Sequence, residues 1–194
     1  EEVLDKNIGE ANCAGTTVNP KTPSLFRSRL FINPGANQIP RRRPIYGGHY
    51  IRKYTSLDIA PGGVGKSSLV IAEALAIASG RPLLGFTPDE QVNVQYCNLE
   101  DPYEELQRRF IAAIQYYELD PSVLEGRLFV NSGRDSPFMI AAQARDGLVI
   151  AEALVNQLIS EISNNNIGVL IVDPFVSSHN VSENDNGAID AVLK

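Results

Sequence analysis

The stretch that most constrains the fold is APGGVGKSS at residues 60–68. Three glycines and a proline stand directly in front of Lys66 and two serines. The residues that follow, 67–80, have the apolar pattern of a helix, and those before, 55–60, have the composition of a strand. The sequence therefore predicts a sharp glycine-rich turn between a strand over residues 55–60 and a helix over residues 67–80.

A turn of this kind is typical of a phosphate-binding P-loop. Its glycines let backbone amides converge on an anion, and the helix that starts there adds the positive end of its dipole. A lysine then reaches the β- and γ-phosphates, and a hydroxyl holds Mg²⁺. Ala60 stands where the usual pattern has its first glycine, and an ordinary surface turn is the alternative. The predicted phosphate cradle comprises Pro61, Gly62, Gly63, Val64, Gly65, Lys66, Ser67 and Ser68.

Strand and helix patterns alternate along the rest of the chain. Strands are predicted over residues 92–99, 126–132 and 167–173, helices over residues 101–119 and 148–166, and irregular structure over residues 133–147. The near-continuous apolar run IGVLIVD at 167–173 is typical of a parallel strand buried on both faces. The alternation predicts an α/β fold with a mostly parallel sheet flanked by helices. Residues 1–44 hold five of the twelve prolines and show little periodicity, and an irregular N-terminal arm is predicted over residues 1–54, before a core of residues 55–194.

Carboxylates follow two of the predicted strands. Asp173 ends the apolar run, which is where a P-loop protein needs a carboxylate beside its Mg²⁺. Asp101 has a structural explanation as the cap of the next helix, because Glu104 stands three residues on, as in a capping box. Glu100 has no such explanation and is the candidate general base, a solvated surface glutamate being the alternative. The predicted catalytic residues are Glu100 and Lys66, and the predicted metal ligands are Ser67 and Asp173.

Charge and cysteine content limit the classes of function. The net charge is −6, yet residues 1–54 hold nine of the 17 basic side chains and four of the 23 acidic ones. A basic arm on an acidic body argues against a broad DNA-binding face on the core. The apolar stretches are too short to span a bilayer, and the polar start does not resemble a signal peptide. Cys13 and Cys97 lack metal or redox spacing, so a cytoplasmic location is expected.

Three segments occur in the order known from one family: APGGVGKSSLVIAEALAIASGRPLLG, YCNLEDPYEELQRR and VLIVDPFVSSHNVSENDNGAIDAV. Over residues 50–194 they make the chain resemble the RepA-like ATPases of the RecA superfamily, which include hexameric replicative helicases of plasmids. The resemblance implies ATP and Mg²⁺ as cofactors, single-stranded DNA as a partner and a homo-oligomeric ring. It also implies that Glu100 is the catalytic base and Asp173 the Walker B aspartate. His179 or Glu183 is implied to lie beside the site.

The chain differs from this family in one respect. RecA-like cores continue past the Walker B strand with a phosphate sensor and often an arginine finger, so we expect a core that is incomplete at its C-terminus. Arg41–Arg43 and Arg134 are candidates for acting on a neighbouring subunit, although no motif indicates it. An ATP-driven DNA helicase or translocase is the expected function. The alternatives are an ATP-dependent switch or loader and a small-molecule phosphotransferase, while a binding module without catalysis is disfavoured by Glu100.

Overall fold

The structure, a computed structural model, describes residues 28–144, 147–182 and 185–193. It divides into two units, Glu1–Pro40 and Arg41–Lys194. The described part of the first unit contains one turn of 3-10 helix at Ala36–Gln38 and is otherwise without regular structure. The division of the chain into an arm of residues 1–54 and a core stays a prediction.

The second unit is an α/β fold. Its helices are α1 (Lys66–Ser79), α2 (Tyr103–Tyr116), α3 (Glu152–Asn164) and α4 (Asn186–Leu193). Its strands are β1 (Pro44–Tyr46), β2 (Tyr50–Ile51), β3 (Asn93–Asn98), β4 (Leu128–Ser132), β5 (Ala141–Ala144), β6 (Gly147–Ile150), β7 (Ile167–Asp173) and β8 (His179–Asn180). Turns of 3-10 helix occupy Pro121–Leu124 and Phe175–Ser178.

The strands of the described residues form three sheets. The central sheet has the order β4–β3–β7 and is parallel throughout, which confirms the predicted fold class. The strands β1 and β2 form an antiparallel hairpin. In the third sheet, β5 pairs antiparallel with β6 and parallel with β8.

The core lies between helix α1 and the central sheet. Every residue of α1 from Val70 to Ala78 is buried, and all of them except Glu73 are apolar, as is typical of an enclosed helix. The ring of Tyr96 in β3 meets Phe110 of α2 edge-on at 5.5 Å, so α2 packs on that face of the sheet. Gln95 and Cys97 point to the opposite face, where α3 lies. Helices therefore cover both faces of the parallel sheet, as predicted.

One acidic residue lies inside α1. Glu73 is buried, and its two carboxylate oxygens face the β1–β2 hairpin. Tyr50 donates its hydroxyl to one oxygen at 3.0 Å, and Nε2 of His49 lies 3.2 Å from the other. Burial raises the pKa of Glu73 above its ordinary value. These contacts tie the hairpin to the helix that follows the P-loop.

The prediction of a strand over residues 55–60 is wrong. These residues are exposed and belong to no ladder. A groove of about 400 Å³ separates Thr55–Leu57 from the outer edge of β7, and none of the described residues pairs with that edge. A strand needs a hydrogen-bonded neighbour, so the strand-like sequence remains an extended segment.

Two further predictions differ at residues 133–150. The segment expected to be irregular contains β5, and the first residues of the expected helix 148–166 form β6, which pairs with β5. The run Leu148–Ile150 is short and apolar, and periodicity alone does not separate strand from helix in such a run. Helix α3 consequently begins at Glu152.

Candidate active site

The P-loop (residues 60–68) is an exposed turn that leads directly into α1. Gly63 and Gly65 have φ angles of 76° and 94°, a backbone conformation that side chains rarely tolerate. A Cβ atom at Gly62, Gly63 or Gly65 would meet nothing within 4 Å, so the space around the loop is open. The first bond of α1 runs from the Leu69 amide to the Gly65 carbonyl at 3.0 Å. The amides before Leu69 therefore have no carbonyl within the helix and remain available to an anion.

Lys66 is the first residue of α1 and folds back over its own loop. Its Nζ donates to the carbonyl oxygens of Ala60 at 2.6 Å and Pro61 at 2.8 Å. Ala60, the departure from the P-loop pattern, thus contributes a backbone oxygen that any residue type supplies. The ammonium group is held at the loop by neutral carbonyls, and anionic phosphate oxygens would replace them because they add the attraction between two opposite charges.

Lys66 and Asp173 line a common pocket of about 170 Å³. Asp58, Tyr50 and Phe175 line the same pocket. The structure thereby brings together two of the predicted site residues that are distant in sequence. Ser67 and Glu100 are not among the lining residues, although Ser67 follows Lys66 at the start of α1.

Asp173 ends β7, directly opposite Asn98 in β3. Its Oδ2 accepts the hydroxyl of Tyr96 at 2.7 Å. Burial, with a further contribution from Asp173, raises the pKa of Tyr96 far above its ordinary value, so the phenol stays protonated and donates. The second carboxylate oxygen, Oδ1, has no hydrogen-bond partner among the described residues and is available to a metal.

Glu100 and Asp101 form a tight turn after β3, called here the Glu100 turn. Asn98 Oδ1 accepts both of its backbone amides, that of Glu100 at 3.0 Å and that of Asp101 at 2.7 Å. Ser132 donates its hydroxyl to the Asp101 carbonyl at 2.8 Å, and Arg134 Nε donates to the Glu100 carbonyl. All four backbone polar groups of the turn are therefore bonded. The exposed Glu100 carboxylate has no partner within the described part of the chain.

The predicted helix cap at Asp101 is wrong. Helix α2 starts at Tyr103 with Pro102 as its cap residue, and no side chain caps it. The Asp101 carboxylate instead pairs with Arg109 Nη1 at 2.9 Å. The pairing joins two full charges, whereas a cap would join the carboxylate to uncharged backbone amides. Asp101 therefore has a structural role, as the sequence predicted, but its partner is Arg109 and not the amides that begin α2.

Sequence reasoning missed three residues of this region, Tyr96, Asn98 and Ser132. Arg134, which it considered as a group acting on a neighbour, binds the Glu100 carbonyl of its own chain. Asn98 carries a recognisable signal. An asparagine at a strand end accepts hydrogen bonds from amides two and three residues on and so favours a turn there.

The remaining candidates lie at the margin of the site. His179 is buried in β8, with its ring 4.9 Å from that of Phe175, which lines the pocket of Lys66. A role for His179 stays a prediction, and Glu183 lies outside the described residues. In the triplet of arginines, Arg43 pairs with Glu90 at 3.4 Å and Arg42 lies over the ring of Tyr54.

The residues present suit a Mg²⁺ ion that is shared with a nucleotide. In the described part of the chain, no three His, Cys, Asp or Glu side chains cluster as a metal site. Mg²⁺ commonly takes one or two protein oxygens and completes its shell with phosphates and water. The Ser67 hydroxyl and Asp173 Oδ1 are oxygens of the required kind, and neither has a partner among the described residues.

Comparison with known proteins agrees with this geometry. A family model described as an AAA domain matches residues 20–194. The chain belongs to the AAA domain family. It is accordingly a P-loop ATPase, and ATP is its expected ligand. No curated protein and no solved structure gives a significant match. None of the helices in residues 28–144, 147–182 and 185–193 has the length and hydropathy of a membrane span.

Proposed function

We propose that this AAA domain hydrolyses ATP with Glu100 as the general base. The observation that supports it most is the Glu100 turn, whose backbone is bonded on all sides while the Glu100 carboxylate is exposed and unpaired among the described residues. The turn follows β3, next to the end of β7 where Asp173 lies. Ligands of parallel sheets bind at these carboxyl ends of the strands.

In the proposed reaction, Glu100 takes a proton from a water molecule as its oxygen attacks the γ-phosphorus. The bond between that phosphorus and the β–γ bridging oxygen breaks, and ADP leaves with the bridging oxygen. Lys66 and the P-loop amides bind the β- and γ-phosphates and orient them for attack. Ser67 and Asp173 would hold Mg²⁺, which neutralises charge on the phosphates when it is bound.

A set of three variants of the full chain tests this assignment. Lys66→Ala should lose ATP binding and turnover together, because the lysine binds the phosphates. Glu100→Gln should bind ATP like the parent chain while hydrolysis falls about 10²-fold or more, the usual cost of losing a positioned base. Asp101→Asn should retain most activity, because an amide still reaches Arg109. Binding is measured with a fluorescent ATP analogue and hydrolysis by phosphate release.

Glu104→Gln is the matched control, since Glu104 is an exposed glutamate in the first turn of α2. It should behave like the parent chain in both assays. The assignment of Glu100 is wrong if Asp101→Asn abolishes hydrolysis while Glu100→Gln retains it.

The finer proposal is a DNA helicase or translocase that acts as a ring on single-stranded DNA, in replication or in mobile elements. The order of the three motifs supports it. The acidic composition of residues 55–194, with eight basic and 19 acidic side chains, favours the second candidate, an ATP-dependent switch or loader. Hydrolysis that single-stranded DNA accelerates, together with a mass increase on adding ATP, supports the helicase. ATP-dependent assembly without such acceleration supports the switch, and phosphate appearing on an acceptor supports a phosphotransferase.

A further inference from the structure

A series of hydrogen bonds connects the Asp173 carboxylate with the backbone amides of the Glu100 turn. Tyr96 donates to Asp173 Oδ2 at 2.7 Å, and Asn98 Nδ2 lies 3.4 Å from the Tyr96 hydroxyl as its donor. The other end of the same carboxamide, Oδ1, accepts the two amides of the Glu100 turn. The side-chain bonds all run in one direction. The Asn98 amide donates to the Tyr96 hydroxyl, and the Tyr96 hydroxyl donates to the Asp173 carboxylate.

Both connecting side chains are removed from water. Tyr96 is 0% exposed and Asn98 is 2% exposed. Hydrogen bonds in such surroundings are stronger than in water, and each partner left unmatched there is costly. Because Asn98 lies opposite Asp173 in the ladder of β3 and β7, the sheet itself fixes the spacing of the two ends.

We propose that Asn98 and Tyr96 are positioning residues, which set the candidate base Glu100 and the metal-binding carboxylate of Asp173 in one rigid frame. Asn98 holds the backbone from which Glu100 projects. Tyr96 occupies one oxygen of Asp173 and leaves the other to the metal. This proposal rests on the function proposed above, because it concerns the same carboxylates.

The two residues have different expected signatures. Loss of the Tyr96 hydroxyl frees Asp173 to rotate, so the Mg²⁺ concentration for half-maximal hydrolysis should rise about 10-fold, as for other partners of metal ligands. Loss of the Asn98 acceptor loosens the Glu100 turn, so kcat should fall by about 10-fold or more with little change in KM for ATP.

Tyr96→Phe in the full chain tests the first signature, with Tyr46→Phe as its matched control. Tyr46 is also fully buried, and its hydroxyl donates a single bond at 2.6 Å to the Leu83 carbonyl, away from the site. Tyr46→Phe loses one hydrogen bond, whereas Tyr96→Phe loses its bond to Asp173 and the longer bond from Asn98, so urea unfolding measures the loss of stability of each variant. We expect only Tyr96→Phe to change the Mg²⁺ dependence.

Asn98→Ala and Asn98→Ser test the second signature. Both leave a similar space, but serine supplies an oxygen that accepts from amides in the same kind of turn, more weakly than asparagine. We expect the serine variant to recover part of the kcat that the alanine variant loses. The same pair of substitutions at Asn93, at the other end of β3, is the control, because its side chain donates to the Asn165 carbonyl at 2.8 Å.

The positioning proposal is overturned if the Asn98 and Tyr96 variants lose no more activity than their controls at equal loss of stability. The proposal is also overturned if Asn98→Ser recovers none of the kcat that Asn98→Ala loses. Failure of the proposed function has a different result, namely that Glu100→Gln hydrolyses ATP like the parent chain. As a further check, Asn98→Ala combined with Glu100→Gln should be no slower than Glu100→Gln alone, because Asn98 acts through Glu100.

Discussion

The P-loop and the Glu100 turn are both short loops at the start of a helix, yet they are held in different ways. The backbone of the Glu100 turn is bonded at all four polar groups, by Asn98, Ser132 and Arg134. The P-loop is exposed, and the bonds that cross it come from Lys66, which is itself a predicted ligand of the phosphates.

The backbone of the Glu100 turn is therefore fully hydrogen-bonded without a ligand, whereas the P-loop depends on a side chain that a ligand would bind. ATP would draw Lys66 away from the Ala60 and Pro61 carbonyls, so the P-loop exchanges its own bonds for bonds to phosphate. None of the bonds that hold the Glu100 turn comes from a predicted phosphate ligand. The proposed base would thus be positioned before ATP binds, whereas the proposed phosphate cradle would gain its order from the anion.

Gly133→Ala should have the largest effect, because it breaks the packing behind the Glu100 turn. A Cβ there would lie 2.9 Å from Leu99 Cα, so backbone has to move. We expect a loss of about 1–3 kcal/mol of stability and, since the turn shifts, about a 10²-fold fall in turnover per folded molecule. Urea unfolding and phosphate release measure the two quantities.

Gly168→Ala is the control for that prediction. Its Cβ would meet Val92 Cβ at 2.6 Å, at the opposite end of the central sheet. It should lose stability as well but keep the turnover of each folded molecule. Equal losses of turnover in the two variants would show that the Glu100 turn has no special sensitivity.

Gly65→Ala should have an intermediate effect, on binding and not on the fold. Gly65 has a φ of 94° and nothing within 4 Å of its Cβ position, so alanine causes backbone strain of about 1–2 kcal/mol without a clash. The exposed loop of the variant should relax this strain when free and regain it when ATP binds. We expect ATP affinity to fall about 10-fold, since 1.4 kcal/mol corresponds to that factor. Gly48→Ala, with a φ of 78° and equal space in the hairpin turn, should leave ATP binding unchanged. Unchanged binding in Gly65→Ala would mean that the cradle does not need this conformation.

Glu73→Gln should have the smallest effect. It concerns the contact between helix α1 and the β1–β2 hairpin. Burial raises the pKa of Glu73, with Tyr50, His49 and Asp58 as its titratable neighbours. The contribution of protonated Glu73 to the free energy of unfolding is fully present below about pH 4.5, its ordinary pKa. It is lost as the pH rises through the higher pKa that Glu73 has in the folded chain. The parent chain should therefore lose stability relative to Glu73→Gln from pH 4.5 upward, as measured by urea unfolding at a series of pH values. A constant difference between the two chains at all pH values would contradict the prediction.

The sequence predicted the parts of the molecule that depend on local pattern. The helix after the glycines, the apolar strand that ends at Asp173 and the parallel sheet all follow from periodicity and turn chemistry, and the structure confirms them. The strand expected at residues 55–60 failed because a strand also needs a neighbour, which composition does not reveal. The cap expected at Asp101 failed because its competitor, Arg109, lies eight residues away.

The link through Tyr96 and Asn98 was beyond sequence reasoning for a related reason. It joins side chains of β3 to Asp173, which is 75 or more residues further along the chain. Only the register of β3 and β7 shows that Asn98 lies opposite Asp173. The roles of Lys66, Ser67, Glu100 and Asp173 remain predictions that the variants above test.

The open outer edge of β7 has a consequence for how the protein behaves in concentrated solution. The strand reads IGVLIVD, without proline or lysine, and no described residue bonds to its outer edge. Natural sheets protect such edges with charges, prolines or a covering segment, because an open apolar edge is a template for another strand. We therefore expect self-association to increase with concentration wherever that edge is left uncovered.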